Sequence, residues 1–175
     1  MDNKISVLLS EEELDNRIRE MGEEISRDYA GEAVHLICVL KGGTFFMCEL
    51  AKRISIPVSI DFMSVSSYGD EVVSSGIVRI TKDLDKPLEG KHVIVVEDII
   101  DTGRTLSYLL KVLKDRKPAS IKLATMLDKP DRRVVDDVNV DYTGFVIPDK
   151  FVVGYGLDYA EKYRNLPYIG VVEEV

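Results

Sequence analysis

The segment Glu97-Asp98-Ile99-Ile100-Asp101-Thr102-Gly103-Arg104-Thr105 holds the residues whose types and spacing best suit chemistry. From Asp101 to Thr105 it reads as a turn entering a helix, where backbone amides and the positive helix end can face a phosphate. Gly103 permits close backbone approach, and the hydroxyls of Thr102 and Thr105 can add hydrogen bonds. Glu97 and Asp98 stand directly before this anion cradle, and adjacent carboxylates at a strand end repel unless a cation or hydroxyl groups compensate. Ribose hydroxyls and a hydrated Mg²⁺ meet that need. Taken singly, the acids read as a solvated loop and the threonines as helix caps. The constellation as a whole points to a sugar phosphate.

The elements that must position this segment follow from hydrophobic periodicity. Val93-Ile94-Val95-Val96 predicts a strand, and Leu106, Leu109, Leu110 and Leu113 predict a helix over Thr105 to Lys114, so the order is strand, acidic loop, helix. Ser10 followed by Glu13 forms a capping-box pattern ahead of Leu14, Ile18, Met21 and Ile25, which predicts a first helix over 11–29. Ala33 to Leu40 is a continuous apolar run ending at Lys41-Gly42-Gly43, as expected for a buried strand emptying into a tight loop, and Thr44 to Leu50 reads as helix. Val58 to Met63 alternates like a strand and passes into Ser64 to Gly76, a Ser- and Gly-rich stretch too polar for core. Lys117-Pro118 breaks the helix before it, Ile121 to Leu127 predicts another strand, and Tyr142 to Val153 holds two short strand candidates around Pro148.

Alternating strands and helices imply an α/β, doubly wound, mainly parallel sheet, and in such sheets ligands bind beyond the carboxyl ends of the strands. With 175 residues and no repeat or linker, one domain over 1–175 is expected, and the C-terminal third can form a small subdomain over the sheet. A formal charge of -8 opposes non-specific attraction to nucleic acid or to an anionic membrane, so an anionic ligand must be held by a local device. Cys38 and Cys48 lie in apolar surroundings without any paired-cysteine or Cys/His metal spacing, and are expected to be buried, reduced thiols. The N-terminal residues show no apolar signal core, and no apolar run approaches the roughly 20 residues of a membrane span. A cytoplasmic protein is expected.

The run from Val95 to Thr105 resembles the signature of the type I phosphoribosyltransferases: an apolar strand, two acids, two apolar residues, Asp-Thr-Gly, a small or basic residue and Thr. Four further segments resemble the hypoxanthine-guanine branch of that family and extend the likeness across nearly the whole chain. Leu40-Lys41-Gly42-Gly43 resembles its pyrophosphate loop, in which the Leu-Lys peptide is often cis; an ordinary turn is the plainer alternative. Ser66-Ser67-Tyr68-Gly69 resembles a mobile loop that closes over the site, with Ser67 and Tyr68 in it, against a plain exposed hairpin. Lys129 would donate to the 6-oxo group of a purine rather than stand as a surface lysine. Ile147 to Tyr159 resembles the base-binding segment, in which Phe151 stacks on the purine, the Val152 backbone reads its edge and Asp158 helps to hold a second Mg²⁺ through water. Arg164 would contact pyrophosphate. Alone, Phe151 reads as core and Arg164 as a surface charge.

The resemblance implies a type I phosphoribosyltransferase fold with a small hood subdomain from the C-terminal and N-terminal segments. It implies Mg²⁺-dependent transfer of the 5-phosphoribosyl group from phosphoribosyl pyrophosphate to N9 of hypoxanthine or guanine, giving IMP or GMP and pyrophosphate. Asp101, Thr102, Gly103, Arg104 and Thr105 would bind the 5-phosphate, with Arg104 where relatives often carry Lys. Glu97 and Asp98 would bind the ribose and, with Asp158, the metal. Lys41, Gly42 and Arg164 would bind pyrophosphate, and Lys129, Phe151, Val152 and Asp158 would surround the purine. Asp101 would be the general acid/base at purine N7. Ile99 and Ile100 would floor the nucleoside, though core packing explains them nearly as well. Relatives are commonly dimers or tetramers, so a homodimer or homotetramer is expected. Two other readings stay open: a xanthine-preferring enzyme, and a regulator of the same fold that binds RNA through a basic face.

Overall fold

The computed structural model describes residues 4–67 and 78–173. After β1 (Lys4–Leu9), Ser10 and Glu13 form the expected capping box and open α1 (Glu11–Asp28), whose Leu14, Ile18, Met21 and Ile25 are fully buried. Then come β2 (Val34–Val39), α2 (Thr44–Arg53), β3 (Val58–Ser67), β4 (Val78–Lys82), β5 (His92–Ile100), α3 (Arg104–Lys114) and β6 (Ser120–Asp128). A single 3-10 turn at Pro130–Arg132 leads to β7 (Tyr142–Val146), β8 (Val152–Val153) and β9 (Ile169–Glu173).

The main sheet has six strands in the order β4-β3-β2-β5-β6-β7, parallel throughout except for β4, which runs antiparallel to β3. Its central strands are apolar on both faces because helices cover both. Successive side chains of a strand point to opposite faces, so Leu36, Cys38, Ile94 and Val96 pack with α1 and α2, while Ile37, Val93 and Val95 pack with α3. A second sheet of order β1-β9-β8, antiparallel throughout, joins the two ends of the chain into the expected hood, with Lys4 opposite Glu173. No helix among the described residues is long and apolar enough to cross a membrane.

Three expectations change. The acids are not in a loop: β5 continues through Glu97 and Asp98 to Ile100, because pairing with β6 holds it extended, Glu97 beside Thr125 and Ile99 beside Leu127. Strand β3 runs on into Ser67 through its pairing with β4, so the polar stretch begins as strand. Cys38 is buried, but Cys48 is exposed, because α2 turns Phe46, Met47 and Leu50 to the core and carries position 48 outward. Tyr68 lies outside the described residues.

Candidate active site

Helix α3 starts at Gly103, whose φ of +82° is a left-handed conformation open to glycine without steric cost. A side chain there would also meet Val135 Cγ2 at 2.8 Å and Arg133 Cδ at 2.9 Å. No side chain caps this helix and no acid stands in its first turn, so amides at its positive end are left for a ligand. In front of them is a cavity of about 240 Å³ lined by Val39, Glu97, Ile99, Ile100, Asp101, Thr102, Gly103, Thr105 and Leu106. Two carboxylates, Glu97 and Asp101, the phosphate-type turn and an apolar floor thus border one cavity. Arg104 is exposed at the helix start and does not line this cavity.

Asp98 does not share that cavity. Adjacent strand residues diverge, and its carboxylate lies against Gly42 so closely that any side chain at Gly42 would collide with it. Asp98 Oδ1 accepts the Ile99 N–H at 2.7 Å. The pyrophosphate-type loop is therefore braced from below by one of the two acids. Its Leu40-Lys41 peptide is cis. Helix α2 also begins at a glycine, Gly43, without a capping side chain or an acid in its first turn.

Both carboxyls are half-buried in a site with little to neutralise them. Burial pushes the Glu97 carboxyl well above the usual carboxylate range, and the neighbouring charge of Asp98 pushes it further. Burial also raises Asp98, offset in part by the Ile99 N–H and by the charge of Arg164. Among the described residues no three His, Cys, Asp or Glu side chains converge to hold an ion by themselves. The charge of Asp158 also raises Asp98, while Asp158 Oδ1 is 3.1 Å from Arg164 Nη2 and its Oδ2 accepts the Glu161 N–H at 2.8 Å. Arg164 also donates from Nη1 to the Gly156 carbonyl at 2.7 Å, and its Nε is buried with no partner.

The expected purine residues follow β6 and flank β8. Lys129 follows β6, its backbone N–H donates to the Ile100 carbonyl at 3.0 Å, and its side chain is 9% exposed with Nζ 3.5 Å from Asp149 Oδ1. Phe151 is 53% exposed, not core, and meets Tyr159 edge-to-face with ring centroids 5.4 Å apart. The Val172 N–H donates to the Phe151 carbonyl at 3.0 Å beside the Val152–Val171 pair. In antiparallel pairing this directs the N–H and C=O of Val152 away from β9. Since β8 is an outer strand of its sheet, those groups face its free edge.

Sequence reasoning missed the partners of these residues. Arg132 Nε donates to Asp101 Oδ1 at 2.9 Å and its Nη1 is 3.8 Å from Asp149 Oδ2, so Asp101, Arg132, Asp149 and Lys129 form a chain of alternating charge. Arg133 donates to the Asp101 carbonyl at 3.3 Å and pairs with Asp128, while the Val134 N–H donates to the Thr102 carbonyl at 3.1 Å. The segment after β6 therefore fastens the phosphate-type turn from outside. The adjacent arginines after Lys129-Pro130 were the available signal.

The family model of the phosphoribosyl transferase domain matches residues 8–160. A bifunctional protein TilS/HprT of Listeria monocytogenes is 56% identical over 174 residues, which are 99% of this chain and 27% of that protein. The chain thus spans about a quarter of the length of that curated relative. The hypoxanthine-guanine phosphoribosyltransferase of Streptococcus thermophilus is 53% identical over 96% of this chain and 93% of its own length. A crystal structure of a hypoxanthine-guanine phosphoribosyltransferase from Bacillus anthracis superimposes with a TM-score of 0.93 at 48% identity, covering 98% of this chain and all of that one. With the signature turn, the divided acids and the hood in place, the chain belongs to the phosphoribosyl transferase domain family.

Proposed function

We propose that the protein transfers the 5-phosphoribosyl group from phosphoribosyl pyrophosphate to N9 of hypoxanthine or guanine, forming IMP or GMP in purine salvage. The observation that carries this reading is the uncapped start of α3 facing a cavity that also holds Glu97. The relatives named above supply the acceptor class.

In this reading the amides and hydroxyls of Thr102 to Thr105 seat the 5-phosphate, and Glu97 accepts from the ribose hydroxyls across the same cavity. Lys41, Gly42 and Arg164 receive the pyrophosphate. Phe151 offers its exposed face to the purine, Lys129 donates to the 6-oxo group, and the outward main chain of Val152 reads the adjoining edge. Asp101 moves a proton at N7 as N9 gains its bond, which requires it to leave Arg132 when the base arrives. The oxocarbenium character at ribose C1 makes exclusion of water necessary, a task for the segment containing Tyr68.

The donor set suits Mg²⁺, which favours one or two carboxylates completed by substrate oxygens and water over an all-protein cage. Glu97 and Asp98, with carboxyl pKa values raised by burial and few counter-charges, are the carboxylates that would hold it, and Asp158 would help to hold a second ion through water. Bound there, the ion would offset charge on the leaving pyrophosphate.

A spectrophotometric assay with phosphoribosyl pyrophosphate, Mg²⁺ and each of hypoxanthine, guanine, xanthine and adenine tests donor, acceptor and metal together. Turnover with the first two, abolished by chelation, is the expected result. No turnover with any base, together with salt-dependent RNA binding, would replace the enzyme by a regulator.

A further inference from the structure

The two cations assigned above to pyrophosphate already hold an anion. The carboxylate of Glu161 stands between them, Oε2 3.1 Å from Lys41 Nζ and Oε1 3.3 Å from Arg164 Nη2. We infer that Glu161 is an internal competitor for the pyrophosphate subsite: the donor's pyrophosphate must displace its carboxylate, and the carboxylate's return helps to expel the product. This rests on the assignment of Lys41 and Arg164 to pyrophosphate.

Three observations carry the inference. First, a forked carboxylate with one oxygen on each cation presents the same charge-assisted contacts that two oxygens of a phosphate would make. Second, the backbone goes out of its way to put it there. Ala160, Glu161 and Tyr163 have φ of 50°, 63° and 75°, a left-handed region that residues with side chains enter rarely and mostly where function or neighbours demand it. Third, the contact is built to be exchanged. The side chains of Lys41 and Glu161 are 68% and 67% exposed, and ion pairs this open to water are weak. Loop order does not hang on the carboxylate either, because Asp158 holds both the Glu161 N–H and Arg164, and Gly156 accepts a further bond from Arg164.

The test compares the protein with its Glu161→Gln and Glu161→Ala variants, measuring pyrophosphate affinity by calorimetry in saturating Mg²⁺ and KM for phosphoribosyl pyrophosphate. Removing the charge should tighten pyrophosphate and lower the donor KM together, by roughly two- to tenfold as expected for freeing two exposed cations. The KM for hypoxanthine should stay where it was, and the gain should shrink as salt rises. Unchanged or weaker pyrophosphate binding in folded variants would make Glu161 a loop staple and end the inference while leaving the proposed reaction standing. A parent protein that binds no pyrophosphate and turns over no purine would overturn both.

Discussion

Helices α1 and α3 face the same problem, since the first amides of any helix have no partner within it, and they solve it in opposite ways. At α1 the Glu13 N–H donates to Ser10 Oγ at 3.2 Å, the Ser10 N–H donates to Glu13 Oε2 at 2.8 Å, and Glu11, Glu12 and Glu13 place negative charge in the first turn. At α3 a glycine stands where the cap would be, no acid follows and Arg104 is the first helical residue. The α1 end is closed by its own side chains and serves packing. The α3 end is kept open, which costs local stability and leaves the site for an anion. Helix α2, which also starts at an uncapped glycine, belongs with α3.

The largest expected effect separates chemistry from this cradle. Asp101→Asn should cut turnover by roughly 10²–10⁴-fold with donor binding nearly intact, since proton transfer is lost while the amides of α3 remain. Unchanged turnover would remove Asp101 from the acid/base role. Next, giving α3 the charge pattern of α1 should set stability against function. Arg104→Glu should stabilise the helix by about 0.3–1 kcal/mol in thermal unfolding, yet raise the donor KM by about tenfold, because a fixed negative charge at the helix start repels the phosphate through space. A variant that is both more stable and fully active would show that the α3 end binds nothing.

The reverse experiment belongs to α1. Ser10→Ala should lower stability by about 1 kcal/mol and leave steady-state kinetics untouched. The smallest effect probes α2, whose cap residue Gly43 stands so near Cys38 that a Cβ there would come within 3.2 Å of the thiol sulfur. A helix start normally makes a thiol more acidic, but burial, reinforced by the charge of Glu97, pushes Cys38 up to about 12. Alkylation followed by mass spectrometry at pH 8 should therefore label exposed Cys48 and spare Cys38. The Cys38 rate should climb about tenfold per pH unit up to its raised pKa, because only the thiolate reacts. Rapid labelling of Cys38 at pH 8 would mean that the α2 amides serve the thiol instead of a ligand.

Much of this frame was legible in the sequence because its signals are local. Leu14, Ile18, Met21 and Ile25 announce α1 by spacing alone, and the turn at Gly103 is a contiguous string. What escaped depends on distant partners. Strands β1 and β9 are short apolar runs at opposite ends of the described chain, and only pairings such as Lys4 with Glu173 make them one sheet. Glu97 and Asp98 lack the side chains that favour strands, so only their neighbours on β6 reveal that β5 continues. In the site, the residue types were visible, but the pairings of Asp101 with Arg132 and of Glu161 with Lys41 arise from residues far apart in the chain.

The outward edge of β8 has a consequence for how such a site can change over time. If the lettering that distinguishes one base from another is carried by the peptide groups at Val152, replacing its side chain leaves that lettering intact. Altering it demands that the ribbon itself slide or tilt, and the ribbon is held by β9 and, through it, by the opposite terminus. Selectivity would then drift slowly under single substitutions near the base and respond more readily to repacking around β1 and β9, well away from the ligand.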